Sequence, residues 1–490
     1  MRKMIFRNTI LYILIIAAGF TLAGCKKGFL DIKPKGQLIP QTTDDYREIL
    51  DFVSNKNSVG EKSCVLVTFG VVNLLADDYQ VSDSTQYKAM ITTDRSLWYK
   101  WGQQGVYAED REDPDWKAVY GQIYIMNSAI DGIPNASGPQ ADKDELLAEA
   151  QFHRAFCYLG LVNIYAKAYN SSTASTDLGV PMRLGIGLNE SLKRGTVQDV
   201  YDMVIKDLEA ALPKLKDNQG VYNFRPTTAA AYALLARTYL YMGDYQKALD
   251  NANKSLQVNN FLYDYNAELD LNPASTKYGY FKNQATFRSW DDKEILLQKE
   301  TTYNTSLYYY GYSTIWGPTV WSLYDTTNDL RYINYFKPTI SHMGYTFSGS
   351  IKRWQDAYYY LQVGLSVPEM YLIRAETNAR LGNKSEAIND LNTLRSKRYR
   401  TGTLVLYDAN NYTQDQVLQL VKDERRRELW LRGVRWFDLK RYNSLDNANI
   451  TIERFFTGDK LKPGDYGWVM PIGNKYIDQN PEIIQNEGYQ

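Results

Sequence analysis

The sequence predicts an all-α protein built on tetratricopeptide-like helical hairpins, from which one long irregular, aromatic-rich segment departs. Three observations predict this fold class. A helix–turn–helix pattern spans 227–256, a second copy of it follows 139 residues later, and periodicity is weak across 263–365. Because a single hairpin of this kind cannot bury its apolar face alone, further helices are expected to stack beside it.

The hairpin at 227–256 is the clearest helical signal in the chain. Its first half carries aromatic, aliphatic and small residues at helical spacing, Gly243 supplies a turn, and Ala248 lies on the inner face of the second half. The segment 367–395 repeats this pattern, with Gly382 at the turn. Two copies in register favour a repeat scaffold over an isolated helix pair.

Two further tetratricopeptide-like hairpins are predicted, near 142–212 and near 414–442. A loop rich in turn residues expands the connection within the first of these pairs. Between the repeats, 263–365 is rich in Tyr, Trp, Gly, Ser and Asn and is interpreted as a folded excursion over one face, where function is often located. Together these parts form one predicted domain, 41–490.

The N-terminus has the pattern of an export signal. Three basic residues precede a short apolar run at 10–20, and small residues stand directly before Cys25. We expect residues 1–24 to be removed, Cys25 to carry lipid, and 25–40 to form a tether; a plain secretory signal with a chance cysteine is the alternative. Removing three positive charges from a chain of net charge 0 leaves −3.

Composition restricts the chemistry. The balance of 56 basic and 56 acidic residues gives no case for nucleic-acid binding through net charge. Only two histidines are present, so a histidine metal centre or a Ser-His-Asp site is not expected, and His153 is interpreted as structural. Cys64 and Cys157 show no metal-site spacing and are read as buried thiols, a disulfide being the alternative. No metal or cofactor is predicted.

Four acidic or basic segments suggest possible functions. Residues 264–275 resemble a calcium loop but lack its glycine and its final glutamate. The pairs Asp77–Asp78 and Glu109–Asp110 are candidates for glycoside hydrolysis, although adjacency does not establish the carboxyl spacing that the reaction needs. The run 423–428 interleaves acids and arginines at helical spacing, which predicts an ion-paired helix that locks the repeats together.

Aromatic residues are unusually frequent, with 41 Tyr and 10 Trp. They cluster in an early loop, around 98–101, and in the excursion, around 303–321. Flat rings surrounded by polar groups suit the C–H face and hydroxyl rim of a sugar, and the same surface suits a peptide. Internal packing of the excursion is the alternative for each single ring.

Eight short motifs, in order along nearly the whole chain, resemble those of a known protein family. They are the cysteine motif with Phe29-Leu30-Asp31, 149–155 leading to Tyr165, Gly179-Val180-Pro181, Arg194 with Thr196-Val197 and Val200-Tyr201, 233–237, 371–376, the set from Glu424 to Arg441, and the ending with Pro471-Ile472, Asn480-Pro481 and 485–489. In these positions the chain resembles the SusD/RagB family of outer-membrane nutrient-binding lipoproteins of Gram-negative bacteria.

The resemblance implies a role as well as a fold. Members of the family sit on the outer membrane, facing outward, as a lid over a TonB-dependent transporter of the SusC type. They capture oligosaccharides, or peptides in some branches, and have no catalytic activity or cofactor. The chain is accordingly expected to bind glycan, with peptide capture as the alternative and a helical glycoside hydrolase as a third reading.

The resemblance also implies where the ligand binds. Family sugar sites use rings from an early loop and from the excursion, and the corresponding stretches here hold Trp98, Tyr99, Trp101, Tyr309, Trp316 and Trp321. The chain departs from the family at two places. Arg432 stands where glutamate is common, and Lys26–Lys27 follow the cysteine where surface-exposed members often have acidic residues.

Overall fold

The structure is a computed structural model of the 490-residue chain. It describes residues 40–52, 67–81, 95–102, 112–187, 189–220, 222–283, 292–301, 318–342, 345–351 and 362–489. Residues Thr42–Gln490 form one compact unit; of Met1–Gln41, only Pro40 and Gln41 are described. The predicted signal peptide, the lipidated Cys25 and nearly all of the tether therefore lie outside the described residues and stay predictions.

Helices dominate the described part of the chain, as the sequence predicts. Their bounds are α1 Thr43–Leu50, α2 Val72–Leu75, α3 Arg95–Tyr99, α4 Pro114–Gly132, α5 Gln140–Tyr165, α6 Val197–Ala211, α7 Thr228–Met242, α8 Tyr245–Val258, α9 Tyr265–Glu268, α10 Pro318–Trp321, α11 Leu330–Tyr335, α12 Val367–Arg380, α13 Lys384–Ser396, α14 Gln414–Glu428, α15 Arg435–Leu445 and α16 Asn474–Gln479. The all-α prediction is confirmed.

Strands are short and pair only two at a time among the described residues. They are β1 Val67–Thr68, β2 Leu178–Pro181, β3 Arg194–Thr196, β4 Ile295–Leu297, β5 Glu300–Thr301, β6 Phe336–His342, β7 Tyr345–Ile351, β8 Leu365–Ser366, β9 Ile452–Glu453 and β10 Lys460–Leu461. β1 pairs with β5 in parallel, and the pairs β2–β3, β4–β8, β6–β7 and β9–β10 are antiparallel. The excursion thus contains a β-hairpin as well as short helices.

The central hairpin, α7–α8, forms where the sequence predicts it. Thr227 caps α7 by accepting a hydrogen bond from the amide of Ala230. Gly243 ends the helix at φ 78°, a left-handed conformation that glycine adopts without a steric penalty. Ala248 is fully buried where the helices cross, and Ser255 Oγ donates to the carbonyl oxygen of Ala229 at 2.9 Å. Small residues therefore let the two helices approach closely.

The second hairpin, α12–α13, repeats this arrangement and packs directly on α8. Gly382 takes φ 90° at its turn, and Ala375 and Ala387 are fully buried. The helices α5 and α6 form a third antiparallel pair, with β2 and β3 inserted in the connection. A buried ion pair between Arg154 Nε and Asp207 Oδ2, at 2.7 Å, joins that pair. α4 also packs on α5, a pairing that the sequence pattern alone did not predict.

The last two helices, α14 and α15, occur where helices are predicted but do not pack as a hairpin. α14 packs on α12 and α13, whereas α15 packs on α2 and α7. Two residues in the left-handed region, Leu431 at φ 58° and Gly433 at φ 74°, redirect the chain between them. The prediction for 414–442 is therefore corrected from a hairpin to two helices with different neighbours.

α14 also anchors the excursion through buried ion pairs. Arg331, which is fully buried, reaches Glu424 at 2.6 Å and Glu428 at 2.8 Å, and Arg398 reaches Glu428 at 2.9 Å. Burial acts to raise the pKa of Glu424, but Arg331 and Arg427 outweigh it and hold that pKa at about 2. The prediction of an ion-paired helix that locks the scaffold is confirmed.

The calcium-loop resemblance has a structural explanation. Asp264 caps α9 by accepting from the amide of Asn266. Asp270 accepts from the amide of Asn272 at 3.0 Å and from the hydroxyl of Ser275 at 2.5 Å. Their carboxylates thus stabilise turns. Within the described ranges, no group of three or more His, Cys, Asp or Glu residues is placed to hold a metal ion.

Cys157 and His153, which the sequence also singled out, are both buried. Cys157 is a free, buried thiol, and Cys64 lies outside the described residues. His153 is buried with Nδ1 at 3.3 Å from Lys299 Nζ. Burial and the nearby lysine lower the pKa of His153 well below its ordinary value, so the ring is neutral. This environment fits the structural role predicted for it. Among the described helices, none is long and apolar enough to cross a membrane.

Candidate functional site

The three aromatic residues predicted in the early loop lie in the core. Trp98, Tyr99 and Trp101 are 3%, 0% and 7% exposed. The hydroxyl of Tyr99 donates to Gln80 Oε1 at 3.2 Å, and the indole of Trp101 donates to the carbonyl oxygen of Leu75 at 3.1 Å. Both polar groups therefore point into the protein.

A buried arginine explains this arrangement. The guanidinium carbon of Arg454 lies 4.1 Å from the ring centroids of both Tyr99 and Trp101. Its nitrogens donate at 2.5 to 3.1 Å to five backbone carbonyls, those of Leu74, Leu75, Ala76, Tyr79 and Tyr99. Burial lowers the pKa of Arg454 to about 10, so it stays charged at neutral pH. One side chain thus fixes the segment 74–81 and the loop 95–102.

The expectation that these rings form an exposed platform is wrong. A ring stacks on a sugar only if one of its faces is accessible, and two of these rings enclose Arg454 instead. Their direct contact with a ligand is not supported by the geometry. What they do is hold the early segment, 71–81, which carries Asp77 and Asp78.

In the excursion, Trp321 is the predicted site residue that the structure describes; Tyr309 and Trp316 lie outside the described residues. Trp321 ends α10 and is only partly buried. Its ring meets Phe336 edge-on, with centroids 5.4 Å apart, and Phe336 packs on Trp430 at 4.6 Å. The exposed part of Trp321 is therefore backed by a rigid aromatic cluster.

Arg426 brings the early segment and the excursion together. Its Nε donates to Asp78 Oδ1 at 2.9 Å, and its Nη2 donates to Thr319 Oγ1 at 2.9 Å. Thr319 is exposed and lies two residues before Trp321 in α10. Asp77, Asp78, Thr319, Trp321, Arg426 and Arg435 are called the junction site below.

Asp77 is held from two sides. Arg435 donates to both of its carboxylate oxygens, from Nε and Nη2, at 2.8 Å each, and Arg426 Nη2 lies 3.1 Å from Oδ2. Burial acts to raise the pKa of Asp77, but the two arginines overcome it and hold the pKa well below its usual range. Asp77 is therefore a fixed anion at neutral pH.

Asp78 differs from its neighbour. Its side chain is 2% exposed, and burial raises its pKa against the attraction of Arg426, with Asp77 adding to the rise. Its Oδ2 has no hydrogen-bond donor among the described residues. A buried acceptor that lacks a donor costs free energy, and because this oxygen is itself buried it is not accessible to a ligand.

The junction site offers hydrogen bonds and a ring rather than a pair of free catalytic carboxyls. Both oxygens of Asp77 already accept from Arg435, which makes this group a weak base or nucleophile. Glycoside hydrolysis needs two carboxyl groups that act on opposite sides of a sugar bond. The hydrolase reading of Asp77–Asp78 is not favoured by this geometry; Glu109–Asp110 lie outside the described residues.

Sequence reasoning missed Arg454 and the role of Arg426. The segment 423–428 was correctly read as ion-paired, but the pattern does not show which arginine faces outward. Arg425 and Arg427 pair within the scaffold, with Asp438 and Glu424, whereas Arg426 reaches the early segment. The sequence signal that could have shown this difference is the position of each arginine around the helix axis.

A pocket also exists inside the scaffold, apart from the junction site. It is lined mainly by apolar side chains of α5, α7 and α15, among them Phe156, Leu234 and Phe437. Arg237 is its charged lining residue, and it is already paired with Glu369 at 2.6 Å. The composition of this pocket does not suit a polyhydroxylated ligand.

Two family models match the chain. One, described as starch-binding and associating with the outer membrane, matches residues 28–240, and the SusD family model matches residues 217–489. Together they span the scaffold, the early segment and the excursion.

The chain is also similar to individual proteins. SusD-like protein P38 of Formosa agariphila is 24% identical over 444 residues, covering 76% of this chain and 79% of that protein. A putative sugar-binding protein of Bacteroides vulgatus has a similar fold, with a TM-score of 0.69 at 19% identity, covering 93% of this chain and 100% of that one. A SusD superfamily protein of Bacteroides thetaiotaomicron gives a TM-score of 0.69 at 20% identity, covering 91% and 99%.

Proposed function

Because the chain belongs to the SusD family, we propose that it is a cell-surface glycan-binding lipoprotein without catalytic activity. The junction site is the observation that carries this proposal. It combines a buttressed indole, Trp321, with fixed charges at Asp77 and Arg426, whose side chains stay partly accessible. These groups match the apolar face and the hydroxyl rim of a sugar.

Binding is proposed to proceed by stacking and hydrogen bonding. The Trp321 ring takes the C–H face of one sugar, while hydroxyl groups donate to the carboxylate of Asp77 and accept from the guanidinium of Arg426. Because the arginines are already held by carboxylates, the site is preorganised and loses little conformational freedom on binding. Tyr309 and Trp316 are proposed as further direct contacts from the excursion.

Trp98, Tyr99 and Trp101 keep a place in the proposal, in a different role. The burial of all three rings, and the contacts of Tyr99 and Trp101 with Arg454, support a positioning function for the early segment. They hold Asp77 and Asp78 in place.

The site is proposed to serve import. Lipid on Cys25 would anchor the protein to the outer membrane, facing outward, and a SusC-like TonB-dependent transporter would receive the captured oligosaccharide. The family description, which links starch binding to the outer membrane, supports this assignment. Peptide capture for the same kind of transporter is the alternative; hydrolysis is the third reading.

Native gel electrophoresis with soluble polysaccharides tests the proposal. The purified mature chain is run through gels that contain one glycan each, and a peptide mixture is tested in parallel by competition. Retardation by at least one glycan, with no reducing ends released on incubation, is the expected result. Binding to peptides alone would replace the glycan assignment with peptide capture, and release of reducing ends would overturn the binding-only assignment.

A further inference from the structure

We propose that the tip of the β9–β10 hairpin adds a second aromatic contact for glycan, through Phe455. This inference rests on the proposed function, since it assigns an additional subsite for the same class of ligand. It was suggested neither by the aromatic clusters in the sequence nor by the predicted site.

The hairpin borders the early segment. The backbone amide of Phe455 donates to Gln80 Oε1 at 3.3 Å, and Gln80 Nε2 donates to the carbonyl oxygen of Glu453 at 3.0 Å. Gln80 is two residues from Asp78. The early segment is therefore bonded to the excursion through Arg426 on one side and to this hairpin through Gln80 on the other.

The base of the hairpin is rigid. Arg454, directly before Phe455, is fully buried and donates to five carbonyls of the early segment and loop. Its amide donates to the carbonyl oxygen of Asp459 at 2.8 Å, and Gly458, at φ 73°, closes the turn. A side chain mounted on such a base can contact a ligand with little loss of conformational entropy.

Phe455 is nevertheless exposed. Its accessible fraction is 52%, and that of Phe456 is 41%. A phenyl ring has no polar tip to solvate, so two adjacent exposed rings keep apolar surface in water that a binding partner can cover. The C–H face of a sugar is such a partner, and the Asp77 carboxylate in the segment bonded to this hairpin favours hydroxyl-rich ligands over apolar ones.

Exposure alone would not carry this assignment. Val405, at 77%, and Leu406, at 63%, are also exposed, on the loop that follows α13. What distinguishes Phe455 is its hydrogen bond to the segment that carries Asp77 and Asp78. Since Gln80 is two residues from Asp78, the two bonded points are at most about 7 Å apart along the chain, and we infer that a long glycan bound at Trp321 can extend to the hairpin tip.

This placement makes the effect of Phe455 dependent on ligand length. Short oligosaccharides occupy the junction site alone, whereas longer ones also cover the hairpin tip. Loss of one stacking contact is expected to weaken binding about five- to tenfold, which is the usual effect of a single ring.

Calorimetric titration with oligosaccharides of increasing length tests the inference. Phe455→Ala is expected to weaken binding of long chains about five- to tenfold and to leave short ones unchanged, and Phe455→Trp is expected to retain long-chain affinity. Val405→Ala is the matched control for loss of an exposed apolar side chain. Since Phe455 and Val405 are both exposed, thermal melting should be unchanged in all three variants.

The outcomes separate this inference from the proposed function. Wild-type protein that binds glycan, with Phe455→Ala equal to it at every length, would overturn the subsite alone. Equal losses for short and long chains, or in Val405→Ala, would also overturn it. Wild-type protein that binds no glycan would overturn the proposed function itself.

Discussion

Replacing Arg454 by methionine should loosen the early segment without unfolding the scaffold. Methionine retains most of the apolar volume of the arginine side chain but cannot donate a hydrogen bond. It therefore leaves five backbone carbonyls without this donor, four of them in 74–79 and the fifth at Tyr99. Each buried carbonyl left without a donor costs about 1 to 3 kcal/mol, and the lost ring contacts with Tyr99 and Trp101 add about 1 kcal/mol each. At the lower end these losses come to about 7 kcal/mol. Removing the guanidinium also recovers the cost of burying its charge, about 3 kcal/mol for a pKa lowered to about 10, so we expect a net loss of about 4 kcal/mol.

The melting temperature of the whole protein will change only slightly in response to this loss of stability. The compact unit Thr42–Gln490 contains roughly 450 residues, and unfolding entropy is about 2.1 cal/mol/K per residue. The entropy of unfolding is then about 0.9 kcal/mol/K, so a loss of about 4 kcal/mol lowers the melting temperature by only about 4 °C. A local measurement is needed.

Hydrogen exchange with mass spectrometry supplies this local measurement. Peptides that cover 71–81 and 95–102 should exchange up to about a thousandfold faster in Arg454→Met, because about 1.4 kcal/mol corresponds to each factor of ten. In Arg454→Lys, which can keep at most three of the N–H donors, these peptides should exchange faster than in the wild-type protein and more slowly than in Arg454→Met. Arg154→Met, which removes a buried arginine from the α5–α6 pair, is the control and should accelerate exchange there. Unchanged exchange of 71–81 in Arg454→Met would refute the assignment.

Three further predictions concern the ring, the buried charges and the anchor. Trp321→Ala should weaken glycan affinity about tenfold in calorimetric titration; unchanged affinity would remove Trp321 from the site. The Glu424 carboxylate, whose folded pKa is held at about 2, should contribute stability above pH ~4.3, its usual unfolded pKa, and lose that contribution as the pH falls towards 2. Urea unfolding over this range should show a shallower decline in Glu424→Gln, and identical slopes would contradict the paired state of Glu424. Cys25→Ser should move the protein from the membrane to the soluble fraction of lysed cells, and retention on the membrane would contradict a lipid anchor at Cys25.

The hairpin scaffold can be predicted from the sequence because the residues that specify each hairpin lie close together in the chain. Gly243 and Gly382 end helices in the left-handed region, and the alanines that follow at helical spacing mark the buried crossing. Each pattern lies within about 30 residues, so periodicity and turn chemistry are sufficient.

The early loop is different because its environment comes from a distant part of the chain. Tyr99 and its partner Arg454 are 355 residues apart, and no local pattern indicates that two exposed-looking rings will enclose a guanidinium. The same limit applies to Asp78, whose partner Arg426 follows 348 residues later. Aromatic composition correctly identified Trp321 as a ring in the excursion, but burial decided which rings remain available.

A crystal structure of the protein with an oligosaccharide that it retains would test the central claim most directly. The account predicts a sugar ring on the face of Trp321, with hydroxyl groups within hydrogen-bond distance of the Asp77 carboxylate and the Arg426 guanidinium. An oligosaccharide bound elsewhere, such as in the pocket between α5 and α7, or cleaved products in the site, would contradict it.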